Sequence, residues 1–296
     1  MISNPSLMLS LGKGALTTEI AALIARSEAS ETRVFKETDL PPLLYLDHLV
    51  NEISTQGFEH VVIDEAQELS PLQFLLLRRH SRNGWFTILG DLRQRLLPYQ
   101  GIHNWRQVAS LFSSTDVARL ESRISFRSTY EITRFANRVA RQLPGSSSLP
   151  IPYQRYGEKL KGKRSETFRA MQEAIIQRFS QLRAGHEDWT VAILTKWLGE
   201  ANTIFKELGH RGYKGVQLLE IEEEMNQKLI VSPIQLTKGL EFDAVIIAGV
   251  HDRNFVDSEF DRRLLYLACT RAKHSLSMYW FGQPSPILTQ LPKEDE

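Results

Sequence analysis

The sequence predicts an α/β protein with two domains, each organised around a parallel sheet. Two short apolar runs, at 61–63 and 85–89, are separated by a helical segment, which is the pattern of a strand-helix-strand unit. Two longer runs, at 190–195 and 242–249, show no polar alternation and therefore predict strands that are covered on both faces. A chain of 296 residues is long enough for two such cores.

Composition excludes several classes of protein. The hydrophobic fraction is 42% and the net charge is +1, so the chain has no overall charge that would indicate nucleic acid or a membrane surface. A single cysteine, Cys269, excludes an internal disulfide framework and a cysteine-based metal site, which makes a reducing cytoplasmic setting the expectation. The apolar N-terminus lacks the basic leader and cleavage site of a signal peptide.

The first domain is predicted to span 1–115. It begins with an amphipathic helix at 17–29 and a second helix at 43–53, and the strand at 61–63 follows. Ser70 and Pro71 predict the start of the next helix, since serine favours the N-cap and proline the first helical position. The stretch 12–14 contains a lysine between two glycines but does not fit the phosphate-loop pattern GxxxxGK[ST].

The second domain is predicted to span 116–296, after a hinge at 113–116. A helix is expected after Ser128, with Glu131 completing a capping box. The most basic run, at 153–164, is interpreted as a solvated loop, and 209–228 as loops or a short hairpin. The remaining expected strands are at 118–124, 190–195, 229–233, 242–249 and 275–281, and the remaining helices at 168–182, 198–208 and 262–269.

Acidic residues stand where the first two strands end. In open parallel sheets, ligands bind at the carboxyl ends of strands, so Asp64 and Glu65 are candidates for metal and nucleotide chemistry. Asp64 can bind Mg²⁺, and Glu65 can orient and deprotonate a water for attack on phosphorus. At the end of the next strand, the amide of Gln94 can sense a terminal phosphate, although a simple exposed turn explains it equally well.

Two arginines of the second domain stand at the ends of elements. Phosphoryl transfer needs cations where negative charge develops, and Arg127 and Arg271 can supply them when two domains close. Each arginine alone is more often a salt-bridging residue. The turn at Lys238-Gly239 places Glu241 where it can accept a hydrogen bond from a ribose hydroxyl.

Aromatic residues cluster in the loop after Gln94. Tyr99, His103 and Trp105 can form a track for single-stranded nucleic acid, because stacking on bases tolerates any sequence. The alternative for Trp105 is a place in the core, and the residues leave this open.

Five segments, in order, resemble the motifs of superfamily 1 helicases of the UvrD/Rep type. VVIDEAQELSPLQ resembles motif II and TILGDLRQ resembles motif III. LESRISFRSTYEITRFAN resembles motif IV, LTKGLEFDAVII motif V and LLYLACTRAKHSLSMYW motif VI. The resemblance implies two RecA-like domains with the P-loop NTPase fold, and ATP and Mg²⁺ as ligands.

Roles are implied for individual residues by this resemblance. Asp64 would bind Mg²⁺ and Glu65 would be the catalytic base. Gln94 would sense the γ-phosphate, and Arg127 and Arg271 would contact it. The nucleotide would also contact Lys238, Gly239 and Glu241. DNA would contact Tyr99, Trp105 and Gln235.

The sequence departs from the family at its start, since the phosphate loop, the adenine-binding glutamine and the early strands of the first domain are missing. The resemblance therefore implies a truncated first domain and little ATP binding by this chain alone. The segment DLPPLLYLDHL, together with Pro233 and Gln235 in motif V, resembles the HelD type, which remodels bacterial RNA polymerase.

Two hypotheses follow. The first is part of an ATP-driven translocase on DNA, either a truncated product or one completed by a separate chain that supplies the phosphate loop. The second is a module that binds nucleic acid or RNA polymerase without turnover. A metal-dependent nuclease is disfavoured, because Asp64, Glu65 and Asp91 are too few clustered acids.

Overall fold

A computed structural model describes residues 37–50, 57–96, 101–112, 117–144, 148–220 and 224–291. The helix expected at 17–29, the hinge at 113–116 and Tyr99 lie outside these ranges. Within them, no helix is both long and apolar enough to cross a membrane.

The first unit is a small strand-helix-strand arrangement. Its elements are α1 (Leu40–Val50), β1 (Phe58–Ile63), α2 (Pro71–Arg79), β2 (Ser81–Ile88) and α3 (Trp105–Ala109). β1 and β2 are parallel, with Val61 opposite Phe86. The expected start of α2 is confirmed: the Ser70 hydroxyl accepts from the Gln73 backbone N–H, and the Gln73 side chain accepts from the Ser70 N–H.

The two faces of this small sheet differ. One face is covered by α2 and α3, and its cluster is centred on Ile63, Phe74 and Val108. The other face is open in the part of the chain that the structure describes. Four large apolar side chains on it are about half exposed or more: Phe58 (67%), Val62 (64%), Trp85 (65%) and Leu89 (47%).

The second unit contains a six-stranded parallel sheet. Its elements are β3 (Ile124–Ser125), α4 (Tyr130–Ala140), β4 (Ile151–Pro152), β5 (Lys161–Ser165), α5 (Phe168–Gly185), β6 (Val191–Thr195), α6 (Leu198–His210), β7 (Val216–Leu218), β8 (Leu229–Pro233), β9 (Phe242–Ala248), α7 (Glu259–Thr270), β10 (Ala272–Phe281) and α8 (Pro286–Thr289). The strand order is β5-β10-β9-β6-β8-β7, and every pairing is parallel. The short β3 and β4 pair with each other outside this sheet.

Helices cover both faces of the larger sheet. Along β9, Val245 and Ile247 point into the cluster formed with α4 and α7, whereas Ala244 and Ile246 point into the cluster formed with α5 and α6. This arrangement explains the unbroken apolar runs of the sequence, because a strand between two helical layers has no solvent-facing side. The α/β class with a parallel sheet is confirmed. The division of the chain at 115/116 remains a prediction.

Several local expectations are wrong. The run 153–164 is not entirely loop, because its end forms the edge strand β5, whose lysines reach water from the rim of the sheet. The segment 209–228 contains β7, which pairs with β8 in parallel and so forms no hairpin. In the region 118–124, strand pairing is confined to β3.

Ser128 does not cap α4. The N-cap is Thr129, which makes no side-chain cap hydrogen bond, and the predicted capping box is not formed. The Ser128 hydroxyl donates instead to the Ala272 carbonyl oxygen at 2.6 Å. A buried carbonyl at the start of β10 needs a donor, and this need outweighs the local capping preference.

Candidate functional site

The carboxyl end of β1 turns sharply at the two acids. Glu65 adopts a left-handed conformation, with φ 49° and ψ 34°. Its backbone N–H donates to Asp64 Oδ1 at 2.8 Å. A non-glycine residue in this region costs about 1–3 kcal/mol and is often found at functional sites. The turn presents both carboxylates at the edge of the first sheet.

Gln67 fixes the orientation of Glu65. Its side chain is fully buried; Nε2 donates to Glu65 Oε2 at 2.5 Å, and Oε1 accepts from the Asp91 backbone N–H at 3.0 Å. A Cβ at Gly90 would lie 2.3 Å from Gln67 Oε1, so only glycine leaves room for this amide. Sequence reasoning did not single out Gln67, although it stands inside the segment that resembles motif II.

Gln94 and Arg271 connect the two units. Gln94 ends a short 3₁₀ helix after β2, and its Oε1 accepts from Arg271 Nη2 at 2.6 Å. Arg271, 2% exposed, also donates to the Leu240 carbonyl oxygen at 3.1 Å. Its Nε is buried and has no hydrogen-bond partner within the described residues. The carboxyl end of the first sheet therefore faces the amino end of the second.

The charge around Arg271 is balanced from both units. Burial lowers the pKa of Arg271, and the nearby Arg127 lowers it further, whereas Glu65 and Glu241 act in the opposite direction. The Arg127 Nε lies 2.6 Å from Glu241 Oε1, and both side chains remain more than a third exposed. The residues predicted from the two domains are thus neighbours in the structure.

A second ionic contact crosses between the units nearby. Lys238 Nζ lies 2.8 Å from Glu68 Oε1. The adjacent Gly239 has φ +74°, a conformation that side chains other than glycine rarely adopt. The turn before β9 is consequently held against the segment that follows the two acids.

Helix α7 supplies two further contacts that the sequence did not indicate. Arg263 Nη1 donates to the Leu92 carbonyl oxygen at 2.7 Å. The Tyr266 hydroxyl donates to Asp91 Oδ2 at 3.2 Å, and burial raises the pKa of this tyrosine. Both side chains hold the 3₁₀ helix that carries Gln94, so α7 positions the first unit's phosphate-sensing candidate.

A cavity of about 300 Å³ opens beside these residues. Gln94, Arg127 and Tyr266 contribute to its lining, together with Phe126. Phe126 is 61% exposed, and its ring centroid lies 4.9 Å from that of Tyr153. An exposed aromatic ring next to a phosphate-binding candidate is a feature that sequence reasoning missed.

The nucleic-acid candidates lie elsewhere. Trp105 is partly buried against the cluster of the first unit, and a Cβ on Gly90 would lie 3.1 Å from its ring. Gln235 is half buried, and its Oε1 finds no hydrogen-bond partner among the described residues. Neither residue lines the cavity, and their proposed contact with DNA remains a prediction.

Sequence comparisons with known proteins indicate a helicase relationship. Residues 228–279 match the model of the UvrD-like helicase C-terminal domain. The chain is 24% identical to DNA helicase IV of Escherichia coli (strain K12) over 269 residues, which is 80% of this chain but 36% of that protein. A solved structure, the C-terminal domain of a possible DNA helicase from Lactobacillus plantarum WCFS1, is 32% identical, covers 57% of this chain and 94% of its own, and has a TM-score of 0.47.

The sequence matches support a relationship to superfamily 1 helicases of the UvrD/Rep type. The chain spans about a third of the length of the curated relative that it matches.

Proposed function

We propose that this chain is part of an ATP-dependent superfamily 1 helicase or translocase that couples ATP hydrolysis to movement on DNA. The observation that carries the proposal is the hydrogen bond from Arg271 to Gln94, which joins the residue before β10 to the 3₁₀ helix after β2. A nucleotide bound at this junction touches both units, and its hydrolysis changes what holds them together. DNA as the partner is suggested by the relative, which is named a DNA helicase.

Each polar group has a role in phosphoryl transfer. Glu65, held by Gln67, orients a water and accepts its proton. Gln94 donates to the terminal phosphate. Arg127 and Arg271 stabilise the charge that develops on it, which is the principal contribution of protein groups in this chemistry. The buried, unpaired Nε of Arg271 is a donor suited to a phosphate oxygen.

The residues fit the requirements of Mg²⁺. Within the described residues no three His, Cys, Asp or Glu side chains form a metal cluster. Mg²⁺ in nucleotide sites needs no such cage, since one or two carboxylates act with phosphates and waters. Asp64 is exposed and provides one carboxylate oxygen beyond the one that accepts from Glu65. Bound there with ATP, the ion would neutralise phosphate charge.

The rest of the nucleotide meets the second unit. Glu241 accepts from the sugar hydroxyls, and Lys238 and Gly239 form the adjoining turn. We assign Phe126 to stacking on the base, because it is exposed, lines the cavity and neighbours Arg127. We propose two RecA-like domains, at 1–115 and 116–296 of this chain. We also propose that the chain is of the HelD type within the family.

An ATPase assay with single-stranded DNA tests the function. The chain is assayed together with a second polypeptide that carries a GxxxxGK[ST] phosphate loop. We expect Glu65→Gln to lower kcat by at least about 100-fold. Glu187→Gln, an exposed carboxylate outside the site, is the matched control and should hydrolyse ATP normally. If Glu65→Gln is as active as the parent, the role of Glu65 is wrong. The chain alone should bind ATP weakly, and micromolar affinity would contradict that expectation.

One observation favours a second candidate, a module that binds nucleic acid or RNA polymerase without turnover. The cations of the site already have protein partners: Arg127 pairs with Glu241, and Arg271 with Gln94. The two candidates differ in one measurement. A non-hydrolysing module keeps its full affinity for DNA or polymerase while parent and Glu65→Gln show the same lack of ATP turnover.

A further inference from the structure

Positive charge is concentrated in one part of the chain. Residues 117–169 contain 12 Lys and Arg but 4 Asp and Glu, whereas the whole chain contains 36 and 35. The remainder is therefore acidic, and this segment is basic although the net charge of the chain is close to zero. Such asymmetry is the electrostatic footprint of a polyanion-binding surface.

The structure places the densest part of this charge on an outer edge. β5 is the last strand of the six-stranded sheet, and no other described strand pairs with its free side. Lys159, Lys163 and Arg164 are exposed, and within the described residues none of the three makes an ion pair. Lys161 differs, because its Nζ lies 2.8 Å from Glu158 Oε2. Three unpaired cations thus lie along about six residues.

Two exposed aromatic rings precede these cations in the chain. Tyr156 is 68% exposed and Tyr153 is 50% exposed, immediately before the cations in the chain. The Tyr156 ring is supported from one side by Tyr130, at 5.1 Å between centroids. Cations that follow a backbone, combined with rings that offer a free face, are the means by which proteins bind single strands.

Lysines on an edge strand have a simpler explanation. They prevent two sheets from joining edge to edge. That purpose explains Lys161 and Lys163, but it does not require Lys159, which precedes the strand, or two exposed tyrosines. The combination fits a partner with both phosphates and stacking faces.

We propose that residues 153–164 bind single-stranded DNA, with Lys159, Lys163 and Arg164 on phosphates and Tyr153 and Tyr156 on bases. This surface is separate from Trp105 and Gln235. The proposal rests on DNA being the partner in the proposed function, but it does not rest on ATP hydrolysis.

Fluorescence anisotropy with a fluorescein-labelled dT20 strand tests the surface on the whole chain, without nucleotide. The triple variant Lys159→Gln/Lys163→Gln/Arg164→Gln should bind at least about tenfold more weakly at low salt, and the slope of log K against log salt should fall by about 2. Tyr156→Ala should lose about fivefold or more. An unlabelled duplex of equal length should compete poorly.

The matched control is Lys206→Gln/Arg211→Gln/Lys214→Gln, which removes equal charge on and just beyond α6, at the opposite side of the sheet. It should bind like the parent. The proposal is overturned if the parent does not bind dT20, if both triple variants lose the same affinity, or if the β5 variant keeps its affinity and instead self-associates, which is the result of simple edge protection. If the complete enzyme does not hydrolyse ATP but the parent chain binds dT20 as expected, the proposed nucleotide site is wrong and the proposed DNA surface still stands.

Discussion

The two units support their site residues in different ways. In the second unit, the strands that follow Glu241 and Arg271 lie between two helical layers, and their core side chains are almost completely buried. In the first unit, β1 and β2 have one covered face and one face that none of the described residues covers. The first unit therefore depends on a few local hydrogen bonds and on contacts from the second unit, of which Arg263 to Leu92 is one.

This difference shows that precision at a site need not come from a thick core. Glu65 is held by one buried amide and a strained turn, whereas Arg271 donates hydrogen bonds from between α7 and β10, two elements packed in the large core. A single hydrogen bond such as that of Gln67 contributes about 1 kcal/mol to the free energy of unfolding, whereas the burial of a whole apolar strand contributes much more. A substitution should consequently have an effect that depends on which unit contains it.

The largest effect is expected in the second unit. Ile246→Ala, in the centre of β9, should lower the free energy of unfolding by about 2–5 kcal/mol, because it removes buried methyl groups and leaves a cavity. Val62→Ala on the open face of β1 is the control and should change it by less than about 0.5 kcal/mol. Urea titration measures both. Equal losses would show that the open face is buried in solution and would break the comparison.

A smaller, local effect is expected at Gln67. Gln67→Ala should cost about 1–3 kcal/mol, because the Asp91 N–H and the Glu65 carboxylate lose their partner. Hydrogen exchange should accelerate at Ala66, Leu89 and Asp91 and remain unchanged along β9. Gln181→Ala, an exposed glutamine of α5, should alter neither. Faster exchange throughout both units would mean that they unfold as one.

The smallest effect is a dependence on pH in the second unit. Burial raises the pKa of Glu200, and the Asn254 side chain and nearby backbone N–H groups oppose it. A raised pKa means that the folded state binds the proton more tightly, so stability falls as pH rises from the unfolded value of about 4.3 through the folded one. Thermal melts across this window should show the decline, and Glu200→Gln should flatten it. An unchanged slope in that variant would assign the decline to another group.

Local sequence signals predicted the parts of the fold with clear periodicity. The runs that became β6, β8 and β9 are apolar because both faces are covered, and Ser70-Pro71 marked the start of α2 by its own chemistry. β5 was missed because an edge strand needs no apolar pattern. The choice of Thr129 over Ser128 as N-cap depended on a carbonyl 144 residues away, which no local pattern reveals.

The site residues were also predicted only in part from local sequence signals. Asp64, Glu65, Gln94, Arg127 and Arg271 were selected as chemical types at the ends of elements, and the structure brings Gln94 and Arg271 into contact across 177 residues. The roles given to them remain predictions. Gln67, Arg263 and Tyr266 were not selected, because their importance lies in the buried partner that each one reaches.

Helix α7 touches both ends of the larger sheet. Tyr266 and the flanking Arg271 meet the first unit near the amino ends of β9 and β10. At the other end of the helix, Asp261 lies 2.7 Å from Lys196, just after the carboxyl end of β6 and next to the exposed Trp197. A 12-residue helix is about 18 Å long. One helix therefore contacts the first unit at one end and the far rim of the larger sheet at the other, so the junction and that rim share a single rigid element.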